Sequence, residues 1–513
     1  MPVTKRNSNT TLKKTRSETP SSPKRKAKKS TSSKSTGGQK NFHGLVLTSA
    51  QLLQYPDLVA VDGFLYDLKG FAKVHPGGGQ IRAAGAYDAT ALYHSMHPFS
   101  DPSKSKLFQK YKVGIHIPSS NDPKYNFNSA FAQDLKKTVR NVMGKDSWYA
   151  PLGFMLRTLY IMTAVIFFEY MWITTGNLWC GIALGYYHAQ IGLCIQHDGS
   201  HGAISNNSVV NSFFAWFIEL IGSSRWIWME QHILWHHPHT NHQLLDPDAS
   251  SAEPLVVFKD YSKEIYFKTN GNGKGTAAAK KTPTPLVAAQ QWITHFVLAL
   301  YGPSVVYNPV LIYTLRHNDY VPEALANGDF MSVQRPITIA WRLFYYFRTV
   351  FLPIYIAGAN VFAALFTVNI VVGICLTWVF VLSHNFEGAD RDPLKLAGDN
   401  SGYHGASSKT TDNNNDANDI CWYKMQCETS SSYGGNFAMF TTGGLNFQIE
   451  HHIFPRMSSW HYPRISHAVK ECCQRHGVKY NYFPYIWDNT LSTLRYMRKV
   501  GLLTVIQHAR EEF

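Results

Sequence analysis

The sequence lacks the cysteine arrangements that indicate a disulfide framework or a thiolate metal site. It has 7 cysteines in 513 residues, and no two of them have the spacing of a CxxC pair. Regularly paired cysteines are typical of secreted disulfide-rich domains and of zinc modules. Their absence excludes both classes and favours a protein whose thiols face a reducing compartment.

Acidic residues are scarce at the start of the chain. Residues 1–40 hold 12 lysines and arginines against a single acid, Glu18, whereas the rest of the chain is close to charge balance. This segment is rich in Ser, Thr and Lys and has no apolar run, which predicts a disordered tail without a secretory signal, on the cytosolic side. Its basic clusters suit anionic lipid headgroups. A nucleic-acid role is disfavoured because long apolar segments follow.

The chain does contain long apolar runs, which begin at residue 151. Four segments are long enough for a helix to cross a hydrocarbon layer about 30 Å thick. They are 151–175, 177–196, 340–357 and 359–383. Very short connections join each pair, which predicts two helical hairpins. Residues 288–313 are also apolar but contain two prolines, so we expect an interfacial or re-entrant segment there, with six crossings as the alternative to four.

Histidines, unlike cysteines, are grouped into three short motifs beside the apolar runs. They are His197-x3-His201, His232-x3-His236-His237 and Gln448-x2-His451-His452. Imidazole suits iron, zinc and copper, and side chains one helical turn apart can hold one metal. Solvated or core histidines could explain any one motif, but not three that four crossings would place on one face of a membrane. Seven clustered histidines are too many for one zinc and about right for two metals.

A further histidine pair precedes the membrane part. Residues 41–117 predict a small soluble domain, with two strands around an Asp-Gly turn, then His75-Pro-Gly-Gly-Gly, then Asp-Ala-Thr followed by His94 and His97. This segment resembles a cytochrome b5 domain. The resemblance implies haem b with His75 as one axial ligand, and His97 is our choice for the second, with His94 as the alternative. Two protein ligands on one haem iron are typical of electron transfer.

A haem electron carrier next to a nitrogen-rich two-metal site predicts an oxidation reaction. Hydrolysis is disfavoured because it requires no electron transfer. Membrane embedding predicts a lipidic substrate. Dioxygen, two electrons and two metals together indicate attack on an unactivated C–H bond, and removal of a second hydrogen gives a double bond.

The order of the motifs, HPGG then HxxxH, HxxxHH and QxxHH, resembles the front-end fatty acid desaturases over about residues 45–505. Shorter matches, such as Thr240-Asn241-His242 and Phe454-Pro455-Arg456, are most similar to microalgal delta-5 desaturases. The resemblance implies a small α+β haem domain followed by an all-α membrane domain. That membrane domain would have about four transmembrane helices, interfacial helices and a cytosolic His-rich cap.

The same resemblance implies a cis double bond placed between an existing one and the carboxyl end of C20 polyunsaturated acyl chains. Electrons would come from NADH through cytochrome b5 reductase, at the endoplasmic reticulum, with the haem domain and histidine motifs facing the cytosol. Delta-4, delta-6 and delta-8 enzymes share every motif, and the acyl carrier, coenzyme A or phospholipid, stays open. A sphingolipid desaturase or hydroxylase is the alternative enzyme, and a haem-binding membrane adaptor is the non-catalytic alternative.

Seven histidines would bind the two irons, with Gln448 at the metal or just behind it, and we predict no catalytic residue apart from the ligands. These histidines are His197, His201, His232, His236, His237, His451 and His452. We add His384 as a ligand, because it ends the run 359–383 at the depth of His197 and because two irons need more ligands than seven imidazoles. We expect the remaining nearby histidines to be supporting or structural: His188, His239, His242, His461 and His467.

The predicted organisation is therefore a tail at 1–40, a haem domain at 41–117, a polar linker at 118–150 and a membrane desaturase domain at 151–505. Low-complexity stretches within 256–285 and 388–420 predict mobile loops.

Overall fold

The computed structural model describes residues 44–119, 122–242, 245–249, 252–253, 255–258, 285–315, 321–389 and 420–511. The predicted basic tail lies outside these residues, as do most of the two predicted loops at 256–285 and 388–420.

The N-terminal part is a small α+β domain followed by one longer helix. Its strands are β1 Leu45–Thr48, β2 Leu58–Val61, β3 Phe64–Asp67, β4 Lys112–Ile117 and the short β5 Tyr125–Asn126. Its helices are α1 Ser49–Leu52, α2 Leu68–Phe71, α3 Thr90–Met96, α4 Lys106–Gln109 and α5 Ala130–Met143, with 3₁₀ turns at Gly78–Ala84 and Pro102–Lys104.

The four-stranded sheet of this domain has the order β1-β4-β3-β2, with β1 parallel to β4 and the other pairs antiparallel. The β2–β3 hairpin turns at Asp62 and Gly63, whose φ angles are 48° and 76°. Two residues with positive φ match the right-handed twist of a tight hairpin. The strands predicted around the Asp-Gly turn are therefore confirmed, and Val59, Val61 and Tyr66 bury their side chains in the core of the domain.

The remainder of the described chain is almost entirely helical. Its first helices are α6 Leu152–Thr175, α7 Leu178–Gln190, α8 Gln196–Ser200, α9 Ser208–Ala215, α10 Phe217–Leu220 and α11 Arg225–Trp228. The middle helices are α12 Gln290–Ala299, α13 Tyr301–Tyr307, α14 Pro309–Thr314, α15 Glu323–Ala326, α16 Asp329–Tyr346, α17 Leu352–Ala357 and α18 Val361–His384. The last are α19 Trp422–Thr429, α20 Gly435–Thr442, α21 Gln448–Ile453, α22 Tyr462–Arg475 and α23 Ile486–Glu511, with two-residue strands β6 Ile420–Cys421, β7 Ser432–Tyr433 and β8 Tyr482–Phe483.

Three segments of π-helix interrupt this pattern, at Ile191–Ile195, Met229–His236 and Phe347–Phe351. The first joins α7 to α8 without a break, so one continuous helix runs from Leu178 to Ser200. Short π segments within α-helices often occur at functional sites because they rotate the side chains that follow. Two of the three segments here lie at histidine motifs.

Three helices among the described residues are long and apolar enough to cross a membrane, namely Leu152–Thr175, Leu178–Ser200 and Val361–His384. They include three of the four predicted spans. The fourth, 340–357, is helical within α16, a π segment and α17, but it contains the buried Arg342 and is not among these three. The predicted interfacial segment at 288–313 forms α12, α13 and α14, whose exposed side chains include Trp292 and Phe296.

The turn between α6 and α7 lies against the turn between α17 and α18. A Cβ added to Gly176 would be 3.1 Å from the Cβ of Ala359. The two hairpin turns therefore lie side by side.

The region predicted as a polar linker differs from that expectation. Within it, α5 is strongly amphipathic and buries Phe131, Leu135 and Val139 in the same core cluster as Ile465 and Val469 of α22. The apolar residues of α5 recur at helical spacing, whereas the prediction rested on its average polarity. The segment is thus part of a buried core that it shares with α22.

Candidate metal centre

The first histidine motif lies at the end of the helix Leu178–Ser200. His197 is inside this helix and His201 follows its last residue, so the helix runs further than the predicted span. The two ring centroids are 4.6 Å apart, close enough for both imidazoles to reach one metal.

The second motif is on the π segment Met229–His236. The amide of His237 donates to the carbonyl of His232, an i→i+5 bond, and the Nε2 atoms of these two residues are 3.1 Å apart. An α-helix would instead have paired the two histidines four residues apart. The π segment therefore makes His237, rather than His236, the close partner of His232 and turns His236 towards a different set of neighbours.

The third motif is on α21, where Gln448, His451 and His452 are fully buried. His384, the last residue of α18, lies beside it. Its ring centroid is 4.7 Å from those of both His452 and His236.

The eight histidines form two groups with His237 between them. In each group the possible ligand atoms lie within 4.8 Å of one another. The first group is His197, His201, His232 and His451, and the second group is His236, His384 and His452. The ring of His237 is 4.5 Å from His451 and 4.4 Å from His452, one in each group. The donor set thus has the shape expected for two adjacent metal ions.

Several of the eight imidazoles are held through Nδ1 by a neighbouring polar group. His236 Nδ1 is 3.0 Å from Asp246, and His451 Nδ1 is 3.0 Å from the hydroxyl of Tyr462. Such partners fix the ring orientation and leave Nε2 for a metal. Other Nδ1 contacts of this kind are His452 to Gln426 at 2.9 Å and to Thr240 at 3.0 Å, and His384 to the Thr429 carbonyl at 3.2 Å.

The residues present fit a metal because their nitrogens have few other partners. Each of the eight histidines is at most 5% exposed. Among the described residues, both ring nitrogens of His197 and His201 and the Nε2 of His451 have no hydrogen-bond partner. A buried polar atom without a partner is costly, and metal coordination would satisfy these nitrogens.

Burial also keeps these rings neutral, which metal binding requires. Loss of solvation lowers the pKa of His201, His232, His237, His451 and His452 well below the usual value, and the neighbouring histidines lower it further.

Gln448 faces the second group. Its Nε2 is 3.1 Å from Nε2 of His384 and 3.2 Å from Nε2 of His452, and its Oε1 is buried without a partner among the described residues. A 180° rotation of the amide would present the oxygen to the same space. The amide is therefore close enough to serve as a weak ligand or to orient the two histidines.

The remaining nearby histidines lie outside both groups. His239 Nδ1 is 3.0 Å from the hydroxyl of Tyr125, and His242 Nδ1 accepts from the amide of Leu245. Three others are further away: His188 is buried 6.2 Å from the Tyr345 ring, His461 contacts the Tyr149 carbonyl, and the His467 side chain is 83% exposed.

A cavity of about 320 Å³ lies beside the second group. His232, His236 and His384 form part of its wall. Apolar side chains line most of the rest, among them Trp228, Phe380, Leu376, Val372, Ile221 and Val306, and Gln231 and Asp248 add polar groups. This volume and lining are suited to an apolar ligand that carries a polar end.

The predicted haem ligands face each other in the N-terminal domain. The ring centroids of His75 and His97 are 6.0 Å apart, and their Nδ1 atoms contact the Gly77 amide and the Tyr93 carbonyl. This separation leaves room for one metal with a nitrogen on each side. His94 instead lies 2.9 Å from Asp62, away from His75, so His97 is the residue placed to be the second ligand.

The haem domain contacts the membrane domain close to both sites. The ring of Phe99, two residues after His97, is stacked at 6.2 Å on that of Phe454, two residues after His452. A second contact is ionic: the Asp329 carboxylate of α16 accepts from Lys69 at 2.8 Å and from Arg82 at 2.7 Å. Aromatic contacts therefore connect the segment after His97 with the third motif, directly from Phe99 to Phe454 and also through Trp148, whose ring is 4.9 Å from that of Phe99 and 5.8 Å from that of Phe454.

Sequence reasoning missed the residues that support the ligands. Asp246 could have been found as an acid shortly after the second motif. Nothing in the local sequence of Gln426 points to its contact with His452, because 26 residues and several elements separate them.

Comparison with known proteins agrees with this geometry. The family model "Fatty acid desaturase" matches residues 172–484, and the model "Cytochrome b5-like Heme/Steroid binding domain" matches residues 51–117. The chain is 30% identical to an acyl-lipid (7-3)-desaturase of Diacronema lutheri, over 87% of this chain and 91% of the relative. It is 29% identical to an acyl-lipid (7-3)-desaturase of Rebecca salina, over 88% and 93%. It is also 27% identical to a probable Delta(5) fatty acid desaturase of Dictyostelium discoideum, over 86% and 91%.

Proposed function

The chain belongs to the fatty acid desaturase family, with a cytochrome b5-like domain on its N-terminal side, and from this premise we propose that it is a delta-5 front-end desaturase of C20 polyunsaturated acyl chains. As a front-end acyl desaturase it would place the new cis double bond between an existing one and the carboxyl end.

The observation that carries the proposal is the position of the cavity. His232, His236 and His384 form part of its wall, and they come from both histidine groups. An apolar chain lying in this cavity would pass directly beside both groups, which is what oxidation of an unactivated methylene requires.

The residues of the chain would bind and orient the substrate. The ring centroid of Phe380 is 5.7 Å from that of His232 and 5.6 Å from that of Trp228, so aromatic surface adjoins the metal ligands. These rings would hold an acyl chain against the ligands and exclude water from the reacting carbons. At the polar part of the cavity, Gln231 donates to Asp248 and accepts from Tyr301, and we assign the Gln231 amide and the Tyr301 hydroxyl to the carbonyl end of the acyl chain.

Two irons, when bound, would supply oxidation of the C–H bond by dioxygen. We propose that nine residues hold them: His197, His201, His232, His236, His237, His384, Gln448, His451 and His452. His75 and His97 would hold haem b, a group that transfers electrons when bound, and we propose that these electrons come from NADH through cytochrome b5 reductase. The Phe99–Phe454 stack keeps the two sites close without a further partner protein.

The delta-5 position is supported by short motifs and by the name of one relative. The Dictyostelium discoideum protein is called a probable Delta(5) fatty acid desaturase, whereas the other two relatives named above are called acyl-lipid (7-3)-desaturases. These different names make regiochemistry the property to measure. We further propose an endoplasmic reticulum membrane as the location, with the haem domain and the cap on the cytosolic side.

The test is expression in a host without these activities, supplied separately with C18, C20 and C22 polyunsaturated acids. We expect dihomo-gamma-linolenic acid to give arachidonic acid, and the analogous omega-3 tetraene to give eicosapentaenoic acid. The matched control is His232→Ala, which removes one ligand and should form no product. Conversion of a C22 pentaene but not of the C20 acids would contradict delta-5 and indicate delta-4.

Two other outcomes would replace the proposal. A hydroxylated product or a double bond in a sphingoid base would indicate the alternative enzyme. Haem without non-haem iron would indicate a haem-binding adaptor.

A further inference from the structure

Arg456 lies where the third histidine motif meets the haem domain. It is four residues after His452 in a segment whose Phe454 stacks on Phe99 of the haem domain. A Cβ added to Gly202 would be 3.8 Å from Arg456 Nε, so the side chain also lies against the loop that follows His201. The guanidinium is therefore at the junction of three segments that carry metal or haem ligands.

Both segments that carry the predicted haem ligands border this junction. The segment after His97 reaches it through the contact of Phe99 with Phe454. The turn after His75 reaches it through α9, because a Cβ added to Gly78 would be 3.2 Å from Ser208 Oγ. Asn211 of the same helix faces Gly202, where an added Cβ would be 3.9 Å from Asn211 Nδ2 and 3.8 Å from Arg456 Nε. Arg456 therefore lies where the two haem-ligand segments meet the membrane domain.

Arg456 has no counter-ion in the described part of the chain. No hydrogen bond or ion pair reaches its guanidinium there, although the side chain is partly buried. Two other arginines of the cap are paired: Arg464 with Asp146 at 2.6 Å and Arg475 with Asp134 at 2.9 Å. A partly buried, unpaired guanidinium is a site for a carboxylate or phosphate.

Haem carries two propionate carboxylates, which are anions of this kind. We propose that Arg456, a residue of the desaturase domain, binds a propionate carboxylate of the haem held by the cytochrome b5-like domain. The inference rests on the proposed haem site. Arg456 does not line the cavity beside the second group, so it is not placed to bind the carboxyl end of an acyl chain there.

This contact would fix the haem edge against the segment that carries His451 and His452. Together with the Phe99–Phe454 stack it would hold the haem domain in one orientation. Arg456 is accordingly a haem-binding and positioning residue, and its loss should alter haem retention in the absence of any turnover.

The experiment combines a variant with a modified haem. The purified full-length protein and Arg456→Gln are each prepared without haem and reconstituted with haem or with haem dimethyl ester, whose propionates cannot be charged. The rate of haem transfer to excess apomyoglobin is measured by absorbance. With ordinary haem we expect about tenfold faster loss from Arg456→Gln, the effect of one charge-assisted bond. With the dimethyl ester, wild type and variant should lose haem at the same rate.

Controls separate the possible outcomes. Arg464→Gln, which removes a surface ion pair away from the haem, should lose haem at the wild-type rate, and the rate for Arg456→Lys should lie between those of wild type and Arg456→Gln.

Equal rates of loss of ordinary haem from wild type and Arg456→Gln would overturn the inference, and so would an Arg456→Gln effect that persists with the dimethyl ester. If Arg456→Gln does not fold, Arg456→Lys replaces it in the same comparison, because it should lose ordinary haem faster than wild type and the dimethyl ester at the wild-type rate. A wild-type protein that binds no haem would instead refute the haem assignment itself.

Discussion

Replacement of His384 by alanine should remove one metal and leave the other. His384 contacts the second group, with ring centroids 4.7 Å from His236 and His452, and it does not belong to the first group. His384→Ala leaves two imidazoles and the Gln448 amide for the second metal. We therefore expect non-haem iron to fall from two atoms per chain to about one.

The expected loss of activity is large compared with the expected loss of stability. Removing only the outer partner of a metal ligand costs 10- to 100-fold in metal affinity or activity, so loss of a ligand should reduce product formation by about 100-fold or more. The truncation also removes the contact with the Thr429 carbonyl and leaves a small cavity. Together these two losses should lower the free energy of unfolding by about 1–3 kcal/mol. A typical domain is stable by about 5–15 kcal/mol, so the variant should remain folded and inserted.

The assay counts metals and product in the same preparation. Total iron is measured by mass spectrometry, haem by its pyridine complex, and product by gas chromatography of fatty acid methyl esters. His467→Ala is the matched control, because that side chain is 83% exposed and should change none of these values. Two non-haem irons with near-normal turnover in His384→Ala would refute the assignment of His384 as a ligand.

Three further predictions follow from the contacts of the two sites. His75→Ala and His97→Ala should each abolish the haem absorption band, whereas His94→Ala should keep it; a normal band in His97→Ala would contradict the assignment. Asp246→Asn should weaken binding of the second metal by about 10- to 100-fold in chelator competition, since it orients a ligand imidazole, and unchanged affinity would contradict that role. Phe99→Ala should keep its haem but slow reoxidation of the reduced haem by oxygen and substrate in stopped-flow measurements, and an unchanged rate would show that the ring stack is not needed.

The sequence was sufficient to predict the class of fold and the histidines that the structure brings together. Spacing and hydropathy together placed the three motifs on one side of a membrane, and the structure brings those histidines into two adjacent groups. The placement of His384 rested on depth alone, and the structure places it next to His452. Whether it binds metal stays a prediction.

Two features could not be predicted from the sequence: the local helix geometry of the second motif and the packing of segments that are distant in the chain. The spacing of His232, His236 and His237 suggested an α-helical pair four residues apart, but the π segment pairs His232 with His237 instead. A π-helix has no hydrophobic period of its own over eight residues, so periodicity does not reveal it. The packing of α5 against α22 was likewise hidden, because the average polarity of a segment masks one apolar face.

The most direct test of the central claim is a count of metals in the purified wild-type protein. A two-metal centre fed by a fused haem domain predicts three iron atoms per chain, one extractable as haem b and two not in haem. One haem iron with no further iron, or zinc in place of the two, would contradict it.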